Sequence, residues 1–135
     1  MAGYSGTPLA QKLGVKPGAT LLLVDAPDGF DALLAPMPDG VSVRRTARGA
    51  ADVVVVFVTE QQRLERRVPV LEQAIFPNGG LWIAFPKRAS GVATDVTDHT
   101  IRAVGLPRGL VDNKVCAIDE TWTGLRLVWR KEHRS

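Results

Sequence analysis

The run Thr20-Leu21-Leu22-Leu23-Val24 is held between two turn signals, Lys16-Pro17-Gly18 before it and Asp25-Ala26-Pro27-Asp28-Gly29 after it. A strand that is apolar on both faces needs cover on both, and such strands belong to parallel sheets sandwiched by helices. The residues ahead of it fit that reading. Thr7-Pro8 makes a helix start, with threonine as N-cap and proline at the first helical position. Leu9 and Leu13 then share a face, and Gly14 closes the helix in a left-handed conformation.

Helical and strand periodicities alternate along the remainder. Residues 29–35 read as a short helix with Phe30, Leu33 and Leu34 inward and Pro36 ending it. Residues 41–45 alternate and predict a second strand near an edge, whereas 53–58, the most β-branched segment, predicts a central strand. Thr59 with Gln62 three residues on is a capping-box pattern. Leu64, Val68, Leu71 and Ile75 follow at helical spacing, and Pro69 is expected to kink that helix or divide it. Asn78-Gly79-Gly80 turns into a strand over 81–85. A helix over 94–104 carries Asp95 and Asp98 in its first turn, where carboxylates suit the positive helix end, and Gly105 and Pro107 stop it. Segments 111–118 and 125–130, joined by 119–124, predict an antiparallel hairpin. The order implies a single three-layer Rossmann-like α/β domain over 1–135, its sheet mostly parallel with a C-terminal antiparallel hairpin. Leu21, Leu23, Val54, Val56, Leu81 and Ile83 are expected in its core.

Length and composition narrow the function classes. A chain of 135 residues suits one domain with a core of its own. No apolar run approaches the roughly 20 residues that span a bilayer, so no membrane partner is expected. Met1-Ala2-Gly3-Tyr4-Ser5-Gly6 has neither a basic nor an apolar signal region, and a cytoplasmic location is expected. The single cysteine, Cys116, has no internal partner and reads as a small buried hydrophobe in a reducing compartment. Net charge is +3. Arg44, Arg45 and Arg48 form one basic cluster, Arg63, Arg66 and Arg67 another, and the arginines between 126 and 134 a third. Glu65, Glu72, Asp119, Glu120 and Glu132 are interspersed, which reads as a solvated surface and not as a nucleic-acid groove. His99 and His133 lack metal-ligand spacing, and no metal is expected. No glycine-x-serine-x-glycine elbow or phosphate loop is present, and no catalytic residue is assigned. Asp112 and Lys114, two apart on a strand, share a face and suit an edge ion pair.

Two segments resemble class I methyltransferases. Lys16-Pro17-Gly18 followed by a strand is similar to the approach to that family's first strand. Phe76-Pro77-Asn78-Gly79-Gly80-Leu81-Trp82-Ile83 is similar to its leucine-x-proline-glycine-glycine turn into a late strand. With the element order they imply a shortened methyltransferase-like topology. The cofactor positions depart from the family. Its first strand typically carries an acid and then glycine-x-glycine-x-glycine; aligned on Lys16-Pro17-Gly18, the acid falls on Leu23 and the glycines on Asp25, Pro27 and Gly29. Glycines there let backbone approach the ligand, whereas Pro27 removes an N–H and Asp25 sets a carboxylate where the cofactor's own carboxylate belongs. The second strand ends in Arg44-Arg45 where the family places an acid for ribose hydroxyls. The departure implies no S-adenosylmethionine in the usual mode, and no cofactor. Over nearly its full length the chain also resembles a small bacterial family of uncharacterised proteins, a domain of unknown function. The resemblance is carried by Tyr4-Ser5-Gly6-Thr7-Pro8-Leu9-Ala10, Ala26-Pro27-Asp28-Gly29-Phe30, Trp82-Ile83-Ala84-Phe85-Pro86-Lys87 and the run from Val111 to Trp122. It implies no activity.

In an open α/β sheet, ligands sit at the carboxyl ends of the strands. That rim is expected to collect Asp25, Asp28 and Gly29, then Thr59 and Glu60, then Pro86, Lys87, Ser90 and Gly91, and Asp119, Glu120 and Trp122 from the hairpin. Lys87 reads as an ion-pair partner of Asp119 or Glu120; an anion anchor or a lysine of lowered pKa is the other reading. Ser90 to Thr94 leads into a helix N-terminus, with Thr94 as its cap or its amides holding a phosphate. Asp119-Glu120-Thr121-Trp122 recognises a partner or lids the sheet edge. The expected function is a noncatalytic domain binding a protein or small molecule at this rim; the other reading is a small-molecule enzyme using Lys87 and the rim carboxylates. Oligomeric state is not legible.

Overall fold

A computed structural model describes residues 7–134; the reading of the first six residues lies outside them. Six strands form one sheet in the order β2-β1-β3-β4-β6-β5. β1 (Thr20–Val24), β2 (Ser42–Arg44), β3 (Val53–Phe57) and β4 (Gly80–Pro86) run parallel, while β6 (Trp122–Trp129) is antiparallel to β4 and to β5 (Leu110–Ala117). The chain is a Rossmann-like α/β fold with a C-terminal antiparallel pair, as the alternation of elements predicts.

The strands at the centre have no face left for water. All five residues of β3 are buried, and Leu21, Leu23, Val54, Val56, Leu81 and Ile83 are each at most 2% exposed. One face packs under α3 (Gln61–Ile75) and α4 (Asp98–Gly105) through Leu64, Val68, Leu71, Ile75 and Ile101. The other lies under α1 (Leu9–Lys12) and α2 (Phe30–Leu34) through Ala10, Leu13, Phe30 and Leu34. Trp82 is buried on this second face and its Nε1 donates to Leu13 O at 2.9 Å, so α1 is tied to β4 without a stranded indole N–H. On the first face the carboxylate of Glu72, 4% exposed, receives Arg108 in a fork, Nε to Oε1 at 2.6 Å and Nη2 to Oε2 at 2.9 Å. A buried carboxylate needs such a partner.

Several local expectations are corrected. The first helix starts at Leu9 with Pro8 in the cap position. Leu33 is 42% exposed and faces outward, because a helix of five residues buries only Phe30 and Leu34. Pro69 neither divides nor ends α3, which runs from Gln61 to Ile75 as one element. The Thr59–Gln62 box does not form; α3 is capped from another loop, the Asp95 carboxylate accepting from Gln61 N at 2.7 Å. α4 begins four residues later than expected, because Thr97 and Thr100 form a reciprocal capping box there. α4 ends at Gly105 as expected, and a 3₁₀ turn over Leu106–Arg108 follows before Gly109 at φ +96°. β6 begins at Trp122, so the hairpin turn is shorter than the 119–124 connection. A β-bulge between Asp112 and Lys114 inserts Asn113, setting Asp112 opposite Leu127 and Lys114 opposite Arg126. Leu127 and Arg126 are consecutive and point to opposite faces, so Asp112 and Lys114 do not share one. Asp112 pairs instead with Arg102 of α4 at 3.1 Å.

Candidate functional site

β1 has β2 on one side and β3 on the other, so strand order reverses beside it, and the carboxyl ends of β1 and β3 are where such sheets bind ligands. Asp25 follows β1 directly and adopts φ +59°, the left-handed region that glycine enters freely and most side chains resist. Its carboxylate faces α3, receiving Arg67 Nη2 at 2.9 Å and lying 3.6 Å from Arg63 Nη1. Four residues separate these arginines, so they lie on one helix face. The loop continues through Asp28, exposed, to Gly29 at φ +86°, which caps α2. On the other face Phe57, the last residue of β3, packs edge-on against Phe30 at 4.9 Å and Trp122 at 5.0 Å between ring centres. The switch point thus carries an ion-paired loop on one side and three aromatic rings on the other.

At the end of β4 the predicted residues serve the backbone. Lys87 N donates to Thr121 O at 2.7 Å, bringing the hairpin turn to the rim as expected. The expected ion pair does not form. Asp119 folds its carboxylate into its own turn, accepting from Thr121 N at 2.8 Å and Trp122 N at 2.7 Å, and Glu120 stays exposed. Lys87 is half-buried with no ion-pair partner among the described residues. Ser90 Oγ donates to Lys87 O and accepts from Val92 N. Thr94 does not cap α4: its Oγ1 donates to Thr59 O at 2.7 Å and accepts from Val96 N at 3.0 Å. Through Thr94 and Asp95 the segment between β4 and α4 is laced to the start of α3.

That lacing frames a cleft of about 560 Å³ beyond β4, lined by Phe85, Arg88, Thr94, Val96, Thr97 and Asp98 among others. The volume falls within the range of small-molecule sites. Of the residues singled out as ligand-binding from sequence, only Thr94 lines it; Pro86 and Gly91 of the wider rim do too. Thr97 escapes a sequence reading because its place depends on where α4 starts. Asp98 is held below the usual carboxylate range by its hydrogen bond to Arg102. Among the described residues no cluster of His, Cys, Asp and Glu has the makings of a metal site, and no helix is long and apolar enough to cross a membrane.

The fold is similar to that of S-adenosylmethionine-dependent methyltransferases of known structure. The chain is similar to a SAM-dependent methyltransferase from Aquifex aeolicus at a TM-score of 0.61 and 14% identity, covering 88% of this chain and 86% of that one. Aeropyrum pernix fibrillarin in complex with S-adenosyl-L-methionine matches at 0.57 and 14% identity, over 86% of this chain and 69% of that one. Magnesium protoporphyrin IX methyltransferase from Synechocystis, with bound SAH, matches at 0.55 and 11%, over 90% and 78%. No protein-family model matches the chain, and no curated protein matches it in sequence.

At the switch point the side chains are engaged with one another. Asp25, on which the sequence resemblance sets that family's first glycine, is left-handed and ion-paired to Arg67 and Arg63. At the end of β2, Arg44 donates to the carbonyls of Arg48 and Ala50, and Arg45 just after it pairs with Asp31.

Proposed function

We propose that this chain is a noncatalytic binding domain on a methyltransferase-like frame. Its ligand, a small molecule or a short segment of a partner protein, occupies the cleft beyond β4. The observation that carries the reading is the clamp of Arg67 and Arg63 on Asp25. It places a carboxylate and two guanidinium groups where a methyltransferase keeps open backbone. The cleft adds a mixed lining, apolar at Phe85 and Val96 and polar at Arg88, Thr94, Thr97 and Asp98, which suits an amphipathic ligand. No catalytic residue is assigned.

The test is calorimetry with S-adenosylmethionine and S-adenosylhomocysteine, which should give no heat of binding up to about 1 mM, a free energy near −4 kcal/mol. Micromolar binding that disappears on mutating the Asp25 loop overturns the proposal. A thermal-shift screen against metabolites and peptides then seeks the true ligand, since one present at a hundred times its dissociation constant adds about 2.7 kcal/mol of stability. Loss of that shift in Thr97→Ala and Arg88→Ala assigns it to the cleft.

One observation favours the other reading, a small-molecule enzyme at the rim: Lys87 is half-buried and has no ion-pair partner among the described residues. A lysine side chain at this rim with no ion pair is a candidate anion anchor. A ligand whose binding survives Arg88→Ala but not Lys87→Met supports that reading.

A further inference from the structure

At the amino-terminal end of the sheet the chain leaves a cation without a partner. Arg126 on β6 stands opposite Trp82 on β4, and residues opposite in register share a face. Two glycines make room for this pair. A side chain at Gly80 would collide with the Arg126 guanidinium, and one at Gly124 would meet the Trp82 ring at 3.0 Å. Arg126 therefore lies along the sheet over Gly80, half-buried.

Arg44, Arg45, Arg63, Arg67, Arg102 and Arg108 each hold a carboxylate or a carbonyl. Arg126 holds neither among the described residues. Burial, and then the charge of Arg134, push its guanidinium below the usual range. Arg134 Nε donates to Trp129 O at 2.8 Å, which orients the side chain and leaves its Nη groups unengaged. Between the two arginines is a cleft of about 260 Å³, lined also by Asn78, Val128 and Asn113, the extra residue of the β5 bulge. Among the described residues no carboxylate lines it.

Two guanidinium groups with two side-chain amides, and no acid among the described residues, are complementary to an oxyanion of high charge, which relieves their repulsion and accepts from every donor at once. We propose that this cleft binds the phosphate group of a small phosphorylated molecule, with Arg126 and Arg134 as the cationic walls and Asn78 and Asn113 as neutral donors. The rest of such a molecule extends past Arg126 into an adjoining cleft of about 370 Å³ that shares Asn78 and carries Lys16. The acid of that second cleft, Asp52, is already committed, its Oδ2 accepting from Thr20 N at 2.8 Å. The site lies at the end of the sheet away from the β4 cleft, and stands whether or not that cleft binds a ligand.

The experiment titrates the whole chain with inorganic phosphate at fixed ionic strength, followed by thermal shift and by ³¹P line broadening. Saturable binding is expected, with chloride inert. Arg126→Gln and Arg134→Gln should each weaken it by about tenfold or more, since each removes a charge-assisted contact. Arg66→Gln, which lowers net charge equally on an exposed part of α3, should leave it unchanged. Circular dichroism reports whether each variant folds. Arg134→Gln and Asn113→Ala alter side chains near the surface and carry the test if Arg126→Gln does not fold. No shift up to about 20 mM phosphate, or equal binding by wild type and Arg134→Gln, overturns the proposal, because a site this weak is no more than general charge attraction.

Discussion

Asp25 carries two loads, a left-handed backbone and a pair of arginines. The left-handed region costs an ordinary side chain about 1–2 kcal/mol, and aspartate and asparagine less because their short polar groups bond locally. Asp25→Ala is therefore expected to lose about 1–2 kcal/mol, with a share from the released ion pair that stays small because both partners are a third exposed or more. Asp25→Asn should lose less. Urea denaturation of the two variants checks this, and equal losses would show that strain contributes nothing. The Arg67 Nε is buried without an acceptor, which further limits what the pair contributes. Cys116 supplies a second residue-scale expectation. Burial pushes its thiol up, against the pull of Lys12 and Lys114. A raised value means that the stability linked to this group is complete below the free thiol's pKa of about 8.5 and is lost as pH rises through the folded value. Alkylation of native protein should lag the urea-unfolded chain most around pH 9, and matching rates there would refute it.

Among the elements, the strands are legible in the sequence and the helix ends are not. Val53 to Phe57 is apolar throughout, four β-branched valines and an aromatic, and that pattern has one outcome in a covered sheet. The starts of α3 and α4 turn on which hydroxyl or carboxylate reaches which free amide, and here the partners are distant in sequence. Asp95 caps α3 across 34 positions, a relation that no local pattern contains. Once Asp95 and Thr94 are drawn to α3, Thr97 is left to start α4. The same tertiary pull accounts for the missed cleft lining, while the absence of the family's glycines is read directly from Asp25 and Pro27. A loss of about 1 kcal/mol is expected for Thr97→Ala, the usual worth of an N-cap. Asp95→Ala should cost about as much through α3, and hydrogen exchange should show the loss in the first turn of α3 and not of α4. Loosening of α4 alone would contradict the assignment.

At the scale of the molecule, the two outer strands decide how the domain meets copies of itself. β2 is only three residues long and ends at Arg44, a short and charged edge that offers little to pair with. β5 is longer and carries Val115 at 73% exposure, the profile of an edge that recruits further strands. The extra residue at Asn113 interrupts its ladder midway, and such an interruption bends and twists a strand so that a straight neighbour cannot zip along it. Deleting Asn113 should restore a regular ladder with every flanking side chain keeping its present face. The shortened chain is then expected to self-associate in a concentration-dependent way, read by light scattering at matched concentration, whereas an unchanged mass would mean that the edge is guarded by something else. One inserted amide group thus acts as a gatekeeper against polymerisation.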